Sequence, residues 1–327
     1  MQQMLRSLSR FFRVAALVAA TVAVAPLTAG AQEHEAGAAE QTAAPASEKP
    51  VDFITPHITD GSHLEVPALN SHFAKEVPLP HFAPVNIGGV EIDLSPTKHV
   101  VFMLLAAIIV SIVLISAGNA SKKQHATLGR SKGFAGAIEA MALYLRNEVV
   151  LPNVGHHGEG FVPFALTLFF FILVCNLLGM LPWGATATGN IAVTATLAII
   201  TAIVVEISGI RANGLGYLNT IFYWNKELPL PMRIVMFFVM SPVEMVGKIS
   251  KPFALTIRLF ANMTAGHIVL LALIGLIFAF KNWLITPVPV LMATAISMLE
   301  LFVAFLQAFI FTLLASVFIG QIRESHH

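Results

Sequence analysis

The chain has 327 residues, of which 56% are hydrophobic and 11% charged, and a formal net charge of +1. Soluble domains carry about 25% charged residues, so this composition points to a chain that crosses a membrane repeatedly. The near-neutral balance argues against a nucleic-acid partner, and the single cysteine, Cys175 in an apolar run, excludes disulfides and thiolate metal sites.

Residues 1–31 read as a signal-peptide-like segment. Arg6, Arg10 and Arg13 give a basic start, and Val14 to Val24 is an apolar stretch too short to span about 30 Å of hydrocarbon. Ala29-Gly30-Ala31 supplies a small-x-small cleavage pattern, which would start the mature chain at Gln32. Residues 32–97, rich in Ala, Pro, Glu and His without sustained periodicity, read as an external, loosely ordered arm. His57, His63, His72 and His81 are irregularly spaced there, as scattered loop histidines are, and no metal or cofactor is expected.

Residues 98–325 form the membrane domain. Its apolar segments run from about Val100 to Ile115, Phe161 to Leu181, Ile191 to Ile207, Arg233 to Phe280 and Val288 to Ile319. The loop after the first carries Lys122, Lys123, Arg130, Lys132 and Arg146, and the loop after the third Arg211, Lys226 and Arg233. The turn at Pro182 to Gly189 has no Lys or Arg, and the last turn only Lys281. The positive-inside bias therefore places the basic loops and C-terminus in the cytoplasm and the N-terminus outside. Phe134, Ile138, Met141 and Leu145 recur at helical spacing, predicting an amphipathic helix on the cytoplasmic surface or packed on a partner subunit. The expected fold is an all-α polytopic membrane protein: about five crossing helices plus that surface helix. The last two segments are too long for upright crossings. Val288 to Gly320 alone is about 50 Å as a helix and would need a tilt of roughly 50°. They read as a long, steeply tilted hairpin, with Pro242 and Pro252 expected to kink or break its first arm.

Between Pro252 and Gly320 the ionisable side chains are Arg258, His267, Lys281 and Glu300. Lys281 belongs to the turn with Trp283, whereas the other three lie at depth, where an ionisable group is costly and by default functional. In an antiparallel hairpin, residues equidistant from the turn share a depth. The pairs His267/Glu300 and Arg258/Gln307 are centred within one residue of each other in that turn, predicting two facing polar layers. Arg258 and Asn262 share a face, and His267 points away from it by half a turn. Such groups suit a proton path. An imidazole beside a carboxylate gains and loses protons near neutral pH, Asn262 and Gln307 can hold water, and a permanent cation blocks leakage. With no second acid beside Arg258, the carboxylate it releases must come from another protein.

The run Ser250-Lys-Pro-Phe-Ala-Leu-Thr-Ile-Arg258-Leu-Phe-Ala-Asn262-Met-Thr-Ala-Gly-His267 resembles the signature of the a subunit of the F-type ATP synthase membrane sector. Glu300-x6-Gln307-Ala-Phe-Ile-Phe, Asn176-Leu-Leu-Gly-Met-Leu-Pro182 and Thr188-Gly-Asn190-Ile-Ala-Val-Thr194 are similar to further parts of it, over residues 80–325. The resemblance implies a proton-translocating stator subunit of the bacterial inner membrane, not catalytic alone. Its implied partners are the ring of c subunits, the peripheral-stalk b subunits, the rest of the complex and the lipid bilayer. It implies an essential Arg258 facing the ring between two half-channels. The entry-channel Glu and His of many bacterial members fall at His267 and Glu300, exchanged here as in mitochondrial relatives. Glu244 matches an acidic position of the cytoplasmic half-channel. A secondary transporter or channel is the alternative, but no internal repeat is visible. An intramembrane zinc protease would need a pattern such as His-Glu-x-x-His, which is absent.

Overall fold

The computed structural model describes residues 60–67, 74–82, 85–87, 90–92, 95–128, 131–155, 158–181, 184–217, 229–280 and 286–324. The targeting segment, His57, His72 and the turn holding Lys281 and Trp283 lie outside the described residues. Part of the arm is two antiparallel hairpins, β1 (His63–Pro67) with β2 (Ala74–Pro78) and β3 (Val85–Ile87) with β4 (Val90–Ile92). Their registers pair His63 with Pro78 and Val85 with Ile92. The arm is tied to the membrane domain where the Lys98 amide donates to the Gly61 carbonyl at 3.0 Å.

Helix α1 (Lys98–Leu128) is followed by α2 (Gly133–Tyr144), which continues through a π-helical turn at Leu145–Val150 into the short α3 (Leu151–Val154). Then come α4 (Val162–Gly179), a 3-10 turn at Ala187–Gly189, α5 (Ile191–Asn213), α6 (Leu230–Phe280) and α7 (Pro287–Glu324). Five helices are long and apolar enough to cross a membrane, as the sequence predicts. The surface helix α2 packs on α1 of its own chain, with Ile138 and Met141 against the core. Phe134 stays 68% exposed, whereas Leu145, in the π turn, is buried.

Local chemistry sets the ends. Pro163 occupies the first turn of α4, where a missing N–H costs nothing. The Asn190 side chain caps α5 by accepting from the Ala192 amide at 2.9 Å, and Gly214 ends that helix at φ 55°, a conformation other residues resist. Of the kink or break expected at Pro242 and Pro252, the break does not occur: α6 runs through both prolines for 51 residues, about 77 Å. One hydrogen bond is lost at each proline, but the ladder on either side persists.

The centre of the domain is α4, with Leu168, Phe169 and Ile172 fully buried. Helix α7 packs on α4, α5 and α6 through Ala304, Ala308, Phe311, Ala315 and Ile319, a mostly small-residue stripe. In lipid, where helix association gains little from the hydrophobic effect, close van der Waals packing holds helices together. The approach is closest at Gly320, where a Cβ would lie 1.8 Å from the Asn153 carbonyl oxygen. On α7 the buried hydroxyls are satisfied within the helix, as where Thr312 donates to the Ala308 carbonyl and Ser316 to that of Thr312, both at 2.9 Å.

Candidate functional site

Helices α6 and α7 run antiparallel, and both predicted layers form. His267 Nδ1 lies 2.6 Å from Glu300 Oε1, with the side chains 17% and 4% exposed. The imidazole's other nitrogen, Nε2, lies 2.7 Å from the Gly179 carbonyl oxygen and 2.8 Å from Thr186 Oγ1. A carbonyl only accepts, so Nε2 carries a proton and donates it. That leaves one proton to be shared between Nδ1 and Oε1: the pair is either imidazolium with carboxylate or neutral imidazole with carboxylic acid. The Gly179 carbonyl is available because it ends α4, where carbonyls lack helical partners.

Glycines make this contact possible. A Cβ on Gly266 would lie 2.9 Å from Glu300 Oε1, and one on Gly179 would lie 1.9 Å from Thr186 Oγ1. Behind the pair, Thr188 Oγ1 donates to Asn176 Oδ1 at 2.7 Å, and Asn176 Nδ2 to the Ala304 carbonyl at 3.1 Å. Thr264 Oγ1 is buried there with no hydrogen-bond partner among the described residues, and such an atom is where a buried water binds.

The second layer joins differently from a side-chain pair. Gln307 is buried, and its Nε2 donates to the backbone carbonyl of Arg258 at 2.9 Å. The guanidinium is thus left on the exposed face of α6, with Ala261, Asn262 and Ala265. Among the described residues it has no ion-pair partner. Asn262 therefore lies beside Arg258, and Gln307 on the buried side, so these two amides do not share one space.

Glu244 lines a cavity of about 280 Å³ between α5, α6 and α7, with Glu206, Lys248, Lys251 and Gln321 among its other walls. Lys248 Nζ donates to Glu206 Oε2 at 3.0 Å and to the Tyr217 hydroxyl. Sequence reasoning passed over Glu206, although a charge inside the apolar run of α5 was the signal for it. Thr186 gave no signal, since only the fold brings its loop over Gly179. A further missed cluster sits at the arm: the Asp60 carboxylate lies 3.0 Å from His99 Nδ1 and accepts from Asn190 Nδ2 at 3.4 Å. Burial would raise the Asp60 carboxyl, but hydrogen bonds and charge from His99, with Thr97, outweigh it and hold it below the usual range.

The fold and its buried polar layers are those of a multi-pass membrane protein with an all-α membrane domain and ionisable groups buried between its long apolar helices. Residues 100–320 match the family model described as ATP synthase A chain. The chain is 49% identical over 241 residues to ATP synthase subunit a of Chloroherpeton thalassium, covering 74% of this chain and 70% of the relative. To ATP synthase subunit a 2 of Chlorobaculum tepidum it is 45% identical, over 91% of this chain and 79% of the relative. To that of Myxococcus xanthus, named ATP synthase subunit a, it is 46% identical over 72% and 76%. The chain belongs to the ATP synthase A chain family.

Proposed function

We propose that this chain is the proton-translocating stator subunit of an F-type ATP synthase in a bacterial inner membrane, with its N-terminus outside and its C-terminus in the cytoplasm. Its partners are a ring of c subunits, b subunits of a peripheral stalk and the rest of the complex, and it has no catalytic activity alone. The reading is carried by one arrangement: an exposed Arg258, without an ion-pair partner among the described residues, on one face of α6, and a His267–Glu300 pair buried on the other.

In this reading a proton from outside reaches the His267–Glu300 pair, where moving it between Nδ1 and Oε1 needs no rearrangement of heavy atoms. Thr186, Thr264, Asn262 and Gln307 hold water along the way to the ring. Arg258 meets the ring carboxylate on the exposed face of α6. As a cation that does not deprotonate, it favours the ionised carboxylate and blocks a direct leak between the two half-channels. Glu244 serves the cytoplasmic half-channel from its cavity. ATP-driven acidification of inverted vesicles, run with and without sodium, tests the function. Acidification independent of sodium supports it, whereas a sodium requirement overturns the proton assignment and solute uptake without ATPase would favour a transporter.

A further inference from the structure

Glu244 and Lys248 stand four apart on α6, in the Glu-before-Lys order that normally pairs along a helix. Here they do not pair. Lys248 Nζ reaches across to α5, 3.2 Å and 3.0 Å from the two Glu206 carboxylate oxygens, and donates to Tyr217 OH. Its ammonium also lies 4.4 Å from the Tyr217 ring centroid. These contacts use the donors of a side chain only 17% exposed. Lys251, the other cation on the cavity wall, lies over the Phe318 ring at 5.0 Å. Helix α7 adds Gln321 to the wall but no titratable group among the described residues, and Arg323 lies over Phe161. Glu244 is thus left facing the cavity without a hydrogen bond or ion pair among the described residues.

We propose that Glu206 and Tyr217 are positioning residues that hold Lys248 away from Glu244, keeping that acid free to exchange protons in the cytoplasmic half-channel. The inference rests on the reading of Glu244 as the exit-side acid. An ammonium beside a carboxylate favours the ionised form and so opposes uptake of a proton. Without Glu206, Lys248 returns to the default pair with Glu244, four residues back. Tyr217 also sets the distance between α5 and its following turn, because its ring packs against Gly209.

The test uses the whole ATP synthase in inverted vesicles, whose cytoplasmic face meets the outer buffer. ATP-driven acidification is measured against outer pH and divided by ATP hydrolysis and by the amount of assembled complex. Glu206→Gln is expected to move the alkaline falling limb about one pH unit downward, lowering pumping about tenfold on that limb. Tyr217→Phe, which keeps the ring on Gly209, moves it less and in the same direction. Adding Lys248→Met to Glu206→Gln returns the limb to its wild-type position, which loss of packing would not do. A Glu206→Gln profile unchanged in pH, or lowered equally at every pH and not rescued by Lys248→Met, overturns the inference while leaving Glu244 in its role. Wild-type pumping by Glu244→Gln overturns the exit-acid reading and the inference with it.

Discussion

The contact between His267 and Glu300 can be tested as a unit. At 2.6 Å, with Glu300 4% exposed, it is a hydrogen bond to a charged group in one of its two protonation states. Bonds of that kind contribute about 1.5–3 kcal/mol. As a barrier difference, that is roughly 10- to 150-fold in rate. His267→Ala and Glu300→Ala should each slow ATP-driven acidification by a factor in this range, after correction for assembly and ATPase. The double variant should be little slower than the worse single one, because the shared proton is lost once. The exchanged variant, His267→Glu with Glu300→His, brings the same groups back to the same depth and should exceed either half of the exchange. It should not reach wild type. A glutamate at position 267 sets an acceptor against the Gly179 carbonyl and loses the bond Nε2 makes there at 2.7 Å. Fully multiplicative effects of the two alanine changes would refute the shared-proton unit.

Other expectations follow from close packing and from the corner between α1 and α2. Gly320→Ala should lower the thermal stability of the detergent-solubilised complex, overpacking of this kind costing about 1–3 kcal/mol, because its Cβ would overlap the Asn153 carbonyl. Gly275→Ala, where nothing lies within 4 Å, should leave the melting temperature unchanged. The Glu139 carboxyl is held down to about 2 by hydrogen bonds from Ser121 and Ser131 and by His125. Since the folded value lies below the ordinary 4.5, its stabilisation is complete above that pH and is lost only as pH falls toward about 2. Hydrogen exchange of residues 131–144 should therefore stay slow from pH 7 to pH 5 in the wild type and be faster throughout that range in Glu139→Gln. Intact-mass measurement of the purified subunit should give a chain beginning at Gln32; retention of residues 1–31 would refute cleavage.

The register of the hairpin was legible in the sequence; atomic partners were not. Equidistance from the hairpin turn placed His267 opposite Glu300 and Arg258 opposite Gln307, and both pairs meet. Symmetry cannot say which atoms join, and Gln307 binds the backbone of Arg258, which is what frees the guanidinium. Apolar run lengths gave the five crossings because hydrocarbon thickness fixes how many residues must be buried. Pro242 and Pro252 do not break α6, since a long helix can lose single bonds without ending. The hairpins of the arm lack a periodic signal because their strands are three to five residues long. The spacing of Phe134, Ile138, Met141 and Leu145 found the surface helix and most of its inner face, which packs on the same chain and leaves only Phe134 of the four exposed. Glu206 was visible as a charge in an apolar run. Its bond to Lys248 spans 42 positions and required the fold.

The central claim is that a lone exposed cation on α6 separates two proton paths and cannot be spared. Its most direct test is ATP-driven acidification by assembled complexes carrying Arg258→Ala or Arg258→Lys, alongside ATP hydrolysis by the soluble head. The account predicts that both variants retain hydrolysis and lose acidification, because a desolvated lysine can give up its proton and lacks the planar fork. Wild-type acidification by an assembled Arg258→Ala complex would contradict it.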